Sequence, residues 1–167
     1  LTPFSKSVSK RIANEDLSAI DYVFSWLGNP DILLAITKML EDRMNVEEDV
    51  ASVGVQVILF VEDSIHFYSS MLPHLYKCVF TQSLSFMTEA LNEHEQMLRM
   101  RGRPKILFAR TYEEAVSIYY KYKDNMLGVI SDVSFLKNGI KNKHAGIELC
   151  EEIRKNDKFI PLIIQSS

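Results

Sequence analysis

Acidic and hydroxyl side chains follow three short apolar stretches that have the length of β-strands. Glu62 and Asp63 come directly after QVILFV, Asp132 ends LGVISD, and Ser166 and Ser167 come directly after FIPLIIQ. In an open sheet of parallel strands, ligands bind beyond the carboxyl ends of the strands, near the point where the strand order reverses. If these stretches lie side by side, their polar side chains therefore meet at one ligand-binding edge.

The three carboxylates predict a magnesium site that accepts a phosphoryl group. Side by side, Glu62, Asp63 and Asp132 repel one another and need a positive counter-charge. Mg²⁺ suits such a site because it takes few protein oxygens and keeps several waters. One carboxylate can then attack a phosphoryl donor, since phosphoryl transfer depends mainly on positioning and charge neutralisation. A hydroxyl on the neighbouring strand can hydrogen-bond the transferred group.

The elements that would position these groups alternate between strands and helices. Their apolar stretches are nearly continuous, which is typical of parallel strands covered on both faces. A capping box joins Thr111 to Glu114 at the start of one helix, and Asn138-Gly139 marks a turn in the polar loop 133–144. The pattern predicts an α/β fold with a doubly wound parallel sheet. We predict strands at 56–61, 105–109, 127–132 and 159–165, and helices at 64–101, 111–124 and 145–156.

Composition restricts the classes of function. The chain has 167 residues and a net charge of −3, so it is long enough for one ordinary domain and carries no broad basic surface for nucleic acid. No apolar run approaches the ~18 residues of a membrane span, and no signal peptide is visible. We therefore expect a cytoplasmic protein with no membrane partner. The abrupt first and last residues predict a fragment of a longer protein.

A resemblance to a known family rests on four motifs in a fixed order. VILFVEDS, LGVISD, AGIELCEEIR and IPLIIQSS together resemble the receiver domain of two-component response regulators. The resemblance implies a flavodoxin-like sheet of order 2-1-3-4-5. It also implies that Asp132 is the phospho-acceptor and that Ser166 is the switch hydroxyl. It implies Mg²⁺ held by Glu62, Asp63, Asp132 and the backbone carbonyl of Ser134. It also implies a histidine kinase or a small phosphodonor as the partner, and a regulatory domain without enzymatic turnover of its own.

The same resemblance predicts how the chain is divided. Residues 55–167 are similar to a receiver that lacks its last strand and helices, so the lysine that usually ends that strand is missing. Residues 1–50 resemble the closing part of an upstream receiver, with Thr2 at the switch position of a fourth strand and Tyr22 at the aromatic position of a fifth. Ser25 stands where the family has its lysine, which implies that the upstream receiver is degenerate.

Three other functions remain open at this point. The first is a pseudo-receiver, a phosphate-independent interaction or dimerisation module with the same fold. The second is the regulatory head of a protein similar to phosphoenolpyruvate synthase or pyruvate phosphate dikinase, whose enzymatic module would lie outside this chain. The third is an enzyme with its own turnover, for which no acid–base pair or cofactor loop is visible. The three carboxylates favour a working phosphorylation site, whereas the missing lysine favours an idle one.

The helix predicted at 64–101 is too long to pack straight on the sheet. Such a helix spans on the order of 55 Å, against ~17–20 Å for a typical strand. We expect it to break and fold back, or to project and pair with a second chain through Met87, Leu91 and Leu98. A second copy of the chain, bound through this helix in a homodimer, is therefore a predicted partner.

The strand predicted at 21–26 has a second possible role. Strand 159–165 would be left as a bare apolar edge of the sheet, and such edges invite pairing. Strand 21–26, with the helix that follows Pro30 to about Met44, has the character needed to cover that edge. We expect the pairing to occur within one chain, as in a circular permutation, or between two chains in a swapped dimer.

Overall fold

The computed structural model describes residues 2–3, 19–87 and 102–166. In these ranges, no helix is long and apolar enough to span a membrane. The described residues form α-helices, β-strands and a 3₁₀ turn at Lys123–Asn125. In chain order, the elements are β1 (Thr2–Pro3), β2 (Ser25–Trp26), α1 (Asp31–Val53), β3 (Val57–Val61), α2 (Ile65–Met87), β4 (Lys105–Ala109), α3 (Tyr112–Tyr122), β5 (Met126–Asp132), β6 (Phe135–Lys137), β7 (Ile140–Asn142), α4 (Ala145–Asn156) and β8 (Leu162–Gln165).

Four of these strands form a parallel sheet flanked by helices. Their spatial order is β4-β3-β5-β8, and every neighbouring pair is parallel. The α/β class and the parallel sheet are confirmed, and the arrangement is compatible with a flavodoxin-like fold. Within the described residues, no fifth strand joins β8, so the complete order 2-1-3-4-5 stays a prediction.

Both faces of the sheet are covered by apolar side chains. On one face, Leu59 and Val129 pack with residues of α3 and α4, including Leu149. On the other face, Phe60 and Phe108 pack with residues of α1 and α2. Coverage on both faces explains why the strands are nearly continuous in apolar residues, as the sequence indicated.

Helix ends follow local capping chemistry. The hydroxyl of Thr111 accepts a hydrogen bond from the backbone N–H of Glu114 (3.2 Å), and the Glu114 carboxylate accepts one from the N–H of Arg110 (2.8 Å). The predicted cap at Thr111 is thus confirmed. Helix α1 runs past the predicted end near Met44, because its apolar spacing continues and it stops only at Gly54, which has φ 70°.

The N-terminal strand does not cover the free edge of β8. Strand β2 pairs in parallel with β1, and the backbone N–H of Ser25 donates to the Ser69 hydroxyl on α2 (2.9 Å). Phe24 is 5% exposed in the core between α1 and α2, and the hydroxyl of Tyr68 donates to the carbonyl of Val23. The prediction that 21–26 pairs with 159–165 within one chain is therefore wrong.

The physical reason is the placement of the aromatic residues. The Tyr22 ring lies 6.2 Å from that of Phe108 on β4, and the Phe24 ring lies 5.4 Å from that of Tyr68. Strand β4 is the opposite edge of the sheet from β8. Packing of these large rings against α2 and β4 holds residues 22–24 beside the edge opposite β8. A swap between two chains stays a prediction.

Helix α2 accounts for the first part of the predicted long helix. It is helical from Ile65 to Met87 and continues through Pro73. Residues 88–101 lie outside the described part of the chain. The predicted break, the side chain of Met87 and the rest of the proposed contact stripe, Leu91 and Leu98, therefore stay untested.

The loop after β5 contains a hairpin that the sequence analysis did not predict. Strands β6 and β7 pair antiparallel on either side of Asn138 and Gly139, which have φ values of 52° and 75°. Two successive positive φ angles are typical of the tight turn that joins hairpin strands. The turn is confirmed, and the segment 133–144 is an ordered hairpin instead of an irregular loop.

Candidate functional site

The three predicted carboxylates lie together at the carboxyl edge of the sheet. Glu62 and Asp63 directly follow β3, and Asp132 is the last residue of the neighbouring strand β5. One oxygen from each of the three carboxylates lies within 4.8 Å of the others. Glu62 is 1% exposed and Asp132 is 5% exposed, so two of the three charges are largely withdrawn from water.

Glu62 is held in place by two donors. Its Oε1 accepts a hydrogen bond from the backbone N–H of Ser64 (2.9 Å), and its Oε2 accepts one from the Gln165 side-chain amide (3.4 Å). Burial raises the pKa of Glu62 above its usual value of 4.5, and the negative charges of Asp132 and Asp63 raise it further. The hydrogen bond from Ser64 acts in the opposite direction. A cation at this position would relieve the repulsion and favour the ionised form.

Asp132 is fixed by its backbone surroundings. Its Oδ2 accepts a hydrogen bond from the N–H of Ser134 (3.3 Å), and its backbone carbonyl accepts one from the Ser131 hydroxyl (2.8 Å). Gly146, at the start of α4, lies so close that a Cβ there would be 2.1 Å from the Asp132 carbonyl oxygen. The first turn of α4 therefore packs directly on the backbone that carries the candidate phospho-acceptor.

Asp63 forms an ion pair that the sequence analysis missed. The ammonium of Lys141 lies 2.7 Å from Oδ1 and 2.9 Å from Oδ2 of Asp63. The side chain of Asp63 is 11% exposed and that of Lys141 is 52% exposed. The position of Lys141 could have been predicted from the Asn138-Gly139 pair. A two-residue hairpin turn there places β7 beside β6 and directs β7 back toward the site.

The remaining predicted residues lie at the same edge with fewer contacts. Ser166 is exposed and directly follows Gln165, which is paired with Asp132 in the strand register. Ser134 contacts Asp132 through its N–H, whereas the role of its carbonyl as a metal ligand stays a prediction. Ser167 lies outside the described residues.

The donor set fits a hard divalent cation. All three groups are carboxylates, and oxygen is the ligand atom that Mg²⁺ and Ca²⁺ prefer. Burial is the main cause of the raised pKa of Glu62, and the neighbouring carboxylates of Asp132 and Asp63 add to it. The cluster could therefore hold a metal ion through Glu62, Asp63 and Asp132.

No protein-family model, curated protein or solved structure matches this chain.

Proposed function

We propose that this chain is a phospho-accepting receiver module of a signalling protein, with Mg²⁺-dependent phosphorylation of Asp132. The observation that supports it best is the convergence of Glu62, Asp63 and Asp132 within 4.8 Å at the carboxyl ends of two neighbouring parallel strands. The strand order β4-β3-β5-β8 reverses between β3 and β5, and this supports the proposal because ligands of open parallel sheets bind at such a point.

The residues of the site would bind the metal, accept the phosphoryl group and contact it after transfer. Glu62, Asp63 and Asp132 would hold Mg²⁺, with the backbone carbonyl of Ser134 as a further ligand. When bound, Mg²⁺ supplies positive charge that offsets the carboxylates and the phosphoryl oxygens. A carboxylate oxygen of Asp132 forms a bond to phosphorus while the bond from phosphorus to the donor's leaving group breaks. The hydroxyl of Ser166, which directly follows the adjacent strand β8, would then donate a hydrogen bond to a phosphoryl oxygen.

The donor would be a histidine kinase or a small phosphorylated molecule in the cytoplasm. The buried position of Asp132 agrees with such a role, because water-poor surroundings strengthen the interaction of the site with charge that develops on the phosphoryl group. Residues 1–50 would be the end of an upstream receiver. The parallel pairing of β1 with β2 supports this, because the fourth and fifth strands of a sheet of order 2-1-3-4-5 are neighbours.

A pseudo-receiver is the second candidate, and one contact favours it. Lys141 already neutralises Asp63 through both carboxylate oxygens. A site that carries its own cation could keep its fold and bind a partner without ever taking Mg²⁺ or phosphate.

Phosphorylation of Asp132 distinguishes these two functions. We expect the wild type to gain the mass of one phosphoryl group after incubation with Mg²⁺ and acetyl phosphate, and Asp132→Asn to gain none. Asp124→Asn is the matched control, because Asp124 is an exposed carboxylate just before the other end of β5. Circular dichroism checks that both variants are folded. Equal phosphorylation of Asp132→Asn and the control would refute the assignment, and no phosphorylation of the wild type would favour the pseudo-receiver.

A further inference from the structure

The carboxylates of Glu62, Asp63 and Asp132 form an acidic edge of the sheet, and Lys141 contacts it through Asp63. In the described part of the chain, no other lysine or arginine forms an ion pair with Glu62, Asp63 or Asp132. Because the Lys141 ammonium is within 2.9 Å of both Asp63 oxygens, it is no more than about 8 Å from a carboxylate oxygen of Asp132. Across that separation, the flexible side chain of Lys141 could reach a phosphoryl group carried by Asp132.

The hairpin that carries Lys141 is anchored in the core and to α3. Phe135, on β6, is fully buried among residues of α3 and α4. At the tip of the hairpin, the N–H of Asn138 donates to the Glu113 carboxylate on α3 (2.9 Å). The backbone at Asn138 and Gly139 has the positive φ angles of a tight turn, which fixes the register of the two strands.

The hairpin is also attached to α4. Lys137 on β6 forms an ion pair with Glu148 on α4, and the side-chain amide of Asn142 on β7 donates to the same carboxylate (3.2 Å). Lys141 lies next to Asn142 and is therefore presented toward Asp63 by a strand with fixed neighbours. A chance contact of a surface lysine would lack such support.

We propose that Lys141 is a second cation of this site, which competes with the divalent ion for Asp63 and binds the phosphoryl group on Asp132 once the metal is present. This inference rests on the proposed function. Mg²⁺ and an ammonium repel each other, and the metal would take an Asp63 oxygen that now contacts Lys141, so metal binding would free Lys141. The lysine is half exposed and has a flexible stem, so it can turn to the phosphoryl oxygens, which are strong acceptors for a charged donor.

The inference predicts opposite effects of one substitution on two affinities. Lys141→Met should bind Mg²⁺ more tightly than the wild type, because the competing charge is gone. In saturating Mg²⁺, the same variant should bind beryllium fluoride, a mimic of the acyl phosphate, about tenfold more weakly or worse, which corresponds to one lost charge-assisted hydrogen bond. A purely structural role for Lys141 would weaken both affinities together.

Isothermal titration calorimetry of the whole chain measures both affinities. Lys143→Met is the matched control, because Lys143 is exposed in the same segment and removal of its charge has the same effect on net charge. Lys141→Arg should keep part of the affinity for the mimic, since it keeps the positive charge.

Two outcomes separate this inference from the proposed function. If the wild type binds the mimic but Lys141→Met matches Lys143→Met in both affinities, the role of Lys141 is wrong and the receiver function stands. If the mimic binds Asp132→Asn as well as the wild type, or binds neither, the receiver function is wrong and the phosphoryl contact of Lys141 is wrong with it.

Discussion

A buried carboxylate fastens helix α1 to the rest of the fold. Asp42 is fully buried, and its two oxygens lie 2.6 and 3.2 Å from the guanidinium nitrogens of Arg103. Its Oδ2 also accepts hydrogen bonds from the backbone N–H of Ile106 (2.9 Å) and the hydroxyl of Tyr76 (3.1 Å). One side chain therefore joins α1 to α2, to β4 and to the segment before β4.

Replacement of Asp42 by asparagine should destabilise the protein strongly. Asparagine keeps the shape of the side chain but removes the charge, and the side chain of Arg103, only 7% exposed, is left without its counter-ion. Removal of one partner of a buried ion pair typically costs about 3–5 kcal/mol. Since a domain of ordinary stability has a free energy of unfolding of about 5–15 kcal/mol, Asp42→Asn should lose a large share of it.

Urea unfolding followed by circular dichroism measures this loss. Glu41→Gln is the matched control, because the neighbouring Glu41 pairs with Lys38 at 2.6 Å but has a side chain that is 44% exposed. An exposed ion pair contributes at most about 1 kcal/mol. If Asp42→Asn loses no more than Glu41→Gln, the buried pair does not hold α1 in place.

A double variant tests the cause of the loss. When a buried ion pair is replaced on both sides by groups without charge, the change is often neutral or stabilising. Asp42→Asn combined with Arg103→Met should therefore be more stable than Asp42→Asn alone, because no uncompensated charge stays buried. A double variant that loses the sum of the two single losses would show that Arg103 and Asp42 act independently.

Two further predictions concern the acidic edge. Burial and the neighbouring carboxylates raise the pKa of Glu62 above 4.5 in the metal-free folded state. Between about pH 4.5 and that raised pKa, the folded protein holds a proton that the unfolded chain has released. The free energy of unfolding should therefore fall as the pH rises through this window. Mg²⁺ should accordingly raise the melting temperature more at about pH 7 than at about pH 5, and an equal effect at both pH values would contradict the role of Glu62. Gly146→Ala should lower the free energy of unfolding by about 1–3 kcal/mol in urea titrations, since the added Cβ would lie 2.1 Å from the Asp132 carbonyl oxygen. An unchanged unfolding midpoint would show that α4 can move away from Asp132 without loss.

The parallel sheet and the cluster of three carboxylates could be predicted from the residue pattern alone. The strands are short apolar runs with carboxylates at or directly after the ends of two of them, so a parallel sheet in which β3 and β5 are neighbours brings Glu62, Asp63 and Asp132 together. The cap at Thr111 and the turn at Asn138-Gly139 were equally predictable, because each depends on residues only a few positions apart.

Contacts between residues that are far apart in sequence could be identified only from the folded structure. Asp63 and Lys141 are 78 residues apart, and Asp42 and Arg103 are 61 residues apart. The sequence allowed β2 to pair with the free edge of β8, but in the structure β2 pairs with β1 and Phe24 is buried against α2. Such contacts depend on complementary shape and charge between elements that are remote in sequence, and no local pattern of residue types records them.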